Sequence, residues 1–199
     1  MPEQVTDHIL FHVTATNSYK QALVEHQSVI TGRSHNPYFG FYEGSRTYPV
    51  THNGAVAEVP AIAFLKKVRD GQINAPQLGA IAVEVAQHYV MLARELIMEQ
   101  IRLAEFPDAP SRQTCLFACE TLQEARYWRT RIGELNSSVC SLRVEGWIHR
   151  CDARLLLADS EPLSVTMDQA RQYWRGERGA NAEIETLFAG QAVVTAVGL

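Results

Sequence analysis

The chain has 199 residues, 46% of them hydrophobic and 20% charged, with a formal net charge of -4. These are the proportions of an ordinary globular protein and exclude disorder, a coiled coil and a fibrous fold; the length suits one domain spanning 1–199 whose core needs no disulfide or metal staple. The basic residues are scattered and leave no electrostatic footprint for a phosphate backbone, which disfavours nucleic acid as a partner, and no apolar run approaches the ~20 residues that span a bilayer, so no membrane partner is expected.

Glu3 and Asp7 stand where an export signal would carry basic residues. Four cysteines, at 115, 119, 140 and 151, form no Cys-x-x-Cys pair, which fits reduced thiols. The expectation is a cytoplasmic protein, or one delivered into a target cell by a non-classical route.

In chain order, Ile9 to Thr14 is short, apolar and β-branched and reads as a first strand, with a helix expected from Tyr19 to about Ser28. Thr31 to Glu58 carries Gly32, Pro37, Gly40, Gly44, Pro49 and Gly54 and keeps no period, which predicts a long structured loop. Two helices follow, Pro60 to Arg69 and Pro76 to about Ala104, divided at Asp70-Gly71. The second spaces Leu78, Ile81, Val85, Tyr89, Leu92 and Leu96 by threes and fours, a stripe expected to face the core.

Cys115 to Cys119 reads as a buried strand running directly into a helix capped by Thr121 and ending near Ile132. Strands are then expected at Val139 to Val144, Trp147 to Arg150 and Arg154 to Leu157, a helix around Met167 to Trp174, and strands at Ile184 to Phe188 and Ala192 to Val197. Strands at both ends with helices between them point to an α+β class. No GxGxxG or GxxxxGK[ST] pattern is present, against a Rossmann or P-loop site.

The segment Leu116-Phe117-Ala118-Cys119-Glu120-Thr121-Leu122-Gln123-Glu124-Ala125-Arg126-Tyr127-Trp128 resembles the strand-to-helix passage of the poly(ADP-ribose) polymerase superfamily, where an aromatic strand precedes a helix ending in Ser-x-x-Tyr. Phe117 then lies on the strand, and Tyr127 falls on the tyrosine whose flat face stacks on nicotinamide. Phe11-His12-Val13-Thr14 is similar to the first-strand His-Gly-Thr motif of the same superfamily. That similarity gives His12 and Thr14 to NAD binding, an imidazole being able to face a ribose hydroxyl and its own orienting partner at once. Ala182-Glu183-Ile184-Glu185 lies where these transferases keep their catalytic glutamate. Breaking the nicotinamide–ribose bond builds oxocarbenium character that an oriented carboxylate stabilises; Glu185 takes that role, with Glu183 as an acceptor-activating partner.

Phe106 to Arg112 before that strand, with Tyr173-Trp174-Arg175-Gly176 before the last one, resembles a bacterial family of mostly uncharacterised domains. Arg112 is a candidate for a forked hold on the NAD pyrophosphate.

The resemblance implies an ADP-ribosyltransferase-like fold, with central split antiparallel sheets and a helical segment between the first and later strands. It also implies an enzyme that takes NAD as its ADP-ribose donor and a protein as acceptor, in the manner of a bacterial toxin or effector. Two alternatives stay open. Val13, Leu116 and Glu124 depart from the superfamily pattern, as in a non-catalytic binding module on the same fold; an RNA 2'-phosphotransferase-like NAD enzyme is the other. His149 and Cys151 with Asp152 could begin a metal site or a thiol–imidazole pair. No second ligand pair accompanies them and side chains two apart on a strand run parallel, so no metal is expected.

Overall fold

The computed structural model describes residues 1–15, 28–52, 54–133, 137–156 and 161–198. The expected helix from Tyr19 lies outside them, except Ser28, which opens a strand. β1 (Glu3–Ala15), β2 (Ser28–Ile30), β5 (Leu116–Ala118), β6 (Ser137–Asp152) and β7 (Ile184–Val197) form one antiparallel sheet in the order β1-β6-β7-β2, with β5 also paired to β7. Two hydrogen bonds between the backbones of Phe11 and Cys119, at 2.8 and 2.7 Å, tie the end of β5 to β1. The sheet therefore curls until β1 and β7 share β5 as a neighbour. Val5, Leu10, Leu116, Leu142, Ile148 and Phe188 fill the inside of this roll.

The two strands expected at 139–150 are one strand, β6, and the two expected after Ile184 are one strand, β7. Gly146 and Gly190 face each other across this pair, both at φ +152°, where a Cβ on either would overlap the backbone of its neighbour. Glycine interrupts the sequence pattern at each site without interrupting the strand, because only a residue lacking Cβ allows so close an approach. Arg154 to Leu156 is not a strand; it belongs to a short 3-10 turn, Ala153–Leu156, and Leu157 is outside the described residues.

The predicted loop between Thr31 and Glu58 is instead α1 (Pro37–Glu43) followed by a hairpin of β3 (Thr47–His52) and β4 (Ala55–Pro60). Asn36 caps α1 by accepting from the Phe39 N–H, with Pro37 at the first helical position, so the punctuating residues start the helix rather than prevent it. Pro49 is tolerated because, among the described residues, β3 pairs on one side only.

α2 (Ala61–Arg69), α3 (Leu78–Glu105), α4 (Leu122–Ile132) and α5 (Leu163–Arg175) follow the expected order. α3 and α5 pack together over the sheet, burying Met98, Ile101, Tyr173 and Trp174 against Cys151 and Leu187. α4 covers Phe11, Val13 and Val139 at the other end. The apolar stripe expected to be core on α3 is only partly so: Val85 is buried, whereas Leu78, Tyr89 and Leu96 are exposed. The helix buries instead a face that carries His88, packed on the rings of Phe41, Tyr42 and Tyr89, together with Met98 and the ion-paired Glu95 and Arg102. Among the described residues no helix is long and apolar enough to cross a membrane.

Candidate functional site

A cavity of about 480 Å³ opens where β1, β5 and β7 meet, between α1, the middle of α3 and the end of α4. Its volume lies in the range of small-molecule sites, and its wall is mainly apolar with a few convergent polar groups. His12 and Thr14 reach it from β1, Phe117 from β5, Glu185 from β7, Arg112 from the turn before β5, and Trp128 and Arg131 from α4. Five of the residues singled out in the sequence are thus neighbours in space.

His12 is oriented from one side. Its Nδ1 lies 2.7 Å from the carbonyl oxygen of Phe117 and must donate to it, which leaves Nε2 as the acceptor, buried and without a partner among the described residues. Burial lowers the pKa of His12, outweighing the opposing pull of the Phe117 carbonyl. The ring is neutral at pH 7 and offers one unused lone pair at the cavity wall.

Glu185 is held by two donors on one oxygen. Tyr173 donates to Oε1 at 2.6 Å, and Arg112 donates to the same atom. Oε2 has no hydrogen-bond partner among the described residues. Arg112 is buried, and its charge is already consumed: Nε donates to Glu95 Oε2 at 2.9 Å, Nη2 to Glu95 Oε1 at 3.3 Å and Nη1 to the Tyr173 hydroxyl at 2.6 Å. Its guanidinium also lies over the rings of Phe117 and Tyr173, at 5.0 and 5.2 Å. Arg112 is therefore not a free clamp for a pyrophosphate; it fixes Glu185 in place.

Glu95 completes the arrangement. It lies on the buried face of α3 and accepts from Tyr38 at 3.1 Å and Arg94 at 3.2 Å besides Arg112. Burial pushes its carboxyl upward, but the two guanidiniums and the tyrosine outweigh it and hold it below the usual carboxylate range. Burial, with Glu95 beside it, moves the Tyr38 hydroxyl to about 12. Two cations and two anions thus balance inside the protein, the condition under which buried charge is tolerated. Glu95 and Tyr38 are missed by sequence reasoning; the signal in principle is a glutamate at a core-facing helix position, which is costly unless it serves a cation.

Tyr127 and Glu183 are not in the cavity. Tyr127 is on the exposed face of α4 and Glu183 precedes β7, so the two-residue alternation does not carry it to the side of Glu185. Both instead engage Arg131, whose Nη1 donates to Tyr127 at 3.1 Å and to Glu183 at 2.9 Å. The aromatic ring that α4 brings to the cavity is Trp128, one position on. Its Nε1 donates to the Ile184 carbonyl at 2.8 Å and so pins the start of β7 beside Glu185.

The departures from the superfamily pattern have local reasons. Glu124 closes a capping box with Thr121, each accepting the other's backbone N–H at 3.1 Å. Leu116 fills the roll and Val13 packs under α4. Cys115 and Cys119 also line the cavity, but burial raises both thiols, Cys119 to about 12, so neither is a nucleophile at neutral pH. His149 is stacked on Trp174 and Cys151 is in the core, both away from this wall.

A family model described as a protein of unknown function, DUF2441, matches residues 10–197. The chain belongs to that family. No curated protein matches it. The DUF2441 match includes every residue of the site from His12 to Glu185, so the cavity lies within the region that defines the family.

Proposed function

We propose that this DUF2441 protein is an NAD-dependent ADP-ribosyltransferase, on a fold of the ADP-ribosyltransferase type, which moves ADP-ribose from NAD to a protein side chain and releases nicotinamide. The observation that carries this reading is the meeting of His12, Phe117 and Glu185, from the first, a middle and the last strand, on one cavity large enough for the nicotinamide–ribose half of NAD. The unpartnered Nε2 of His12 accepts from a ribose hydroxyl. The aromatic walls of Phe117 and Trp128 take the flat nicotinamide, the latter in place of Tyr127.

Glu185 presents its free oxygen to the anomeric carbon. As the bond from that carbon to the nicotinamide nitrogen breaks, its electron pair neutralises the pyridinium, and the carboxylate stabilises the cationic sugar left behind. A nucleophilic atom of the acceptor then bonds to the anomeric carbon and loses its proton to solvent. The pyrophosphate task passes from Arg112 to Arg131, which lines both the cavity and the shallow groove formed with Arg126, Tyr127 and Thr130.

One observation favours a second reading, a binding module without chemistry: Arg112 and Tyr173 already satisfy one oxygen of Glu185, which weakens its field toward a ligand. Wild type and Glu185→Gln, incubated with NAD, separate the two. Nicotinamide release that falls at least a hundredfold in the variant while NAD binding persists supports transfer chemistry. NAD binding without release by the wild type supports the module. Neither binding nor release refutes the transferase and its site assignments and leaves a module for a protein partner, which need not bind NAD.

A further inference from the structure

Arg94 reaches the cavity from the middle of α3 with one hydrogen-bond donor unused. The side chain is 11% exposed. Its Nη1 donates to the Leu156 carbonyl, and its Nη2 donates to the Tyr38 hydroxyl at 3.0 Å and to Glu95 Oε1 at 3.2 Å. Nε is buried and has no partner among the described residues. An N–H on a buried cation is costly to leave without an acceptor, and Pro37, Met91 and Leu156, which line the same cavity, bring no side-chain oxygen to it.

The place of Arg94 follows from Tyr38. That ring stands edge-on to Phe117, with centroids 5.6 Å apart at 77°, and its hydroxyl accepts from Arg94. Arg94 is thus one side chain beyond the aromatic ring assigned to nicotinamide. The cavity then carries three unused polar atoms of different kinds: an acceptor at His12 Nε2, an anion at Glu185 Oε2 and a donor at Arg94 Nε. The first two are given above to the sugar, and the third is left for the base.

We propose that Arg94 selects the base: its Nε donates to the exocyclic carbonyl oxygen at position 3 of the pyridine ring, so the site takes pyridine nucleotides with a neutral 3-acyl group. The proposal rests on the NAD reading above and assigns the part of the substrate that this reading leaves without a polar partner. A ring stacked on Phe117, with its ribose toward His12 and Glu185, turns its far edge toward Tyr38 and Arg94. A single N–H recognises the oxygen and not the amide nitrogen, which makes a methyl ketone as good a ligand as the carboxamide. A carboxylate is a poorer one, because Glu95 already shares the guanidinium and a second anion beside it is repelled. The contact also favours bond breaking. While the ring is a pyridinium, its positive charge draws electron density from the carbonyl; once the electron pair of the broken bond has returned to the ring nitrogen, the oxygen is a stronger acceptor. Arg94 therefore holds the leaving group more tightly than the substrate, the differential binding that lowers a barrier.

Four ring probes that cannot be cleaved and differ at one substituent test this on the full chain: benzamide, acetophenone, benzoate and toluene, titrated by NMR, with ADP-ribose as the control for the rest of the site. Benzamide and acetophenone are expected to bind within about threefold of each other, and benzoate and toluene at least about tenfold more weakly. An arginine Nε–H signal should shift with the two carbonyl probes and stay in place with toluene. Arg94→Lys keeps a cation beside Glu95 without an N–H at this position; it should bind benzamide no better than toluene, lose that signal and retain ADP-ribose binding. A benzamide preference that survives Arg94→Lys, equal binding of toluene by the wild type, or acetophenone about tenfold weaker than benzamide overturns the proposal, while ADP-ribose binding keeps the NAD reading. A wild type that binds neither ADP-ribose nor NAD overturns both. If Arg94→Lys does not fold, the wild-type signal decides: an arginine Nε–H that responds to benzamide and acetophenone alone supports the proposal, and a spectrum in which none responds to benzamide overturns it.

Discussion

Replacing Glu95 by glutamine tests whether the site is held by charge balance rather than by packing alone. The substitution keeps the shape and removes one of the two anions, leaving Arg94 and Arg112 to share Glu185. Glu95 accepts hydrogen bonds from Tyr38, Arg94 and, twice, from Arg112. Breaking a buried ion pair by removing one partner costs about 3–5 kcal/mol, because the remaining charge is left in a poor solvent. In a chain of this length each kcal/mol lowers the melting temperature by about 2–4 °C, so Glu95→Gln should melt roughly 10 °C below wild type at pH 7. The pH dependence supplies a second reading of the same energy. Because the folded-state pKa of Glu95 is depressed, its contribution is complete above the unfolded value of 4.5 and is lost as pH falls through the folded one. The gap between the two proteins should therefore narrow in acid. Calorimetry at several pH values measures both, and a variant melting within about 2 °C of wild type at pH 7 would refute the reasoning.

Four further substitutions follow from the same structure. Burial, with the N-terminal ammonium adding to it, depresses His149 from 6.5 to about 4, and its ring stacks on Trp174 at 5.9 Å. Stability tied to its neutral form is complete above pH 6.5 and is lost as pH falls toward 4, a loss on the order of 3 kcal/mol; His149→Phe should flatten the urea-unfolding profile over that window, and an unchanged slope counts against it. Gly146→Ala forces a Cβ into the carbonyl of Ala189 at a φ of +152°. A cost of about 2–4 kcal/mol in urea denaturation is expected, with the same loss for Gly190→Ala, whereas Gly40→Ala, which meets no atom within 4 Å, should be nearly neutral.

What could be read in advance follows the range of the interactions. The capped helix after β5 was legible because Thr121 and Glu124 are three residues apart and settle its start between themselves. The hairpin at 47–60 was not, since Pro49 falls inside one strand, Gly54 and Pro60 bound the other, and both strands are too short to show a period. His12, Phe117 and Glu185 carry family-like patterns and do meet, whereas Tyr127 missed the cavity by one helical step, about 100° of rotation, which a motif aligned along one dimension does not register.

Arg112 shows the deeper limit. Its residue type is right for a phosphate, and only the three-dimensional neighbourhood, with Glu95 arriving from 17 residues away and Glu185 from 73, shows that its charge is already balanced. The stripe on α3 fails in the opposite sense. Its periodicity was read as a core face, but periodicity identifies a face and not what covers it. Among the described residues nothing covers Leu78, Tyr89 and Leu96. Val85 of the same stripe is buried, and His88, Glu95 and Arg102 join it on the covered face, so the helix is turned about its axis relative to the face that hydrophobicity alone would choose.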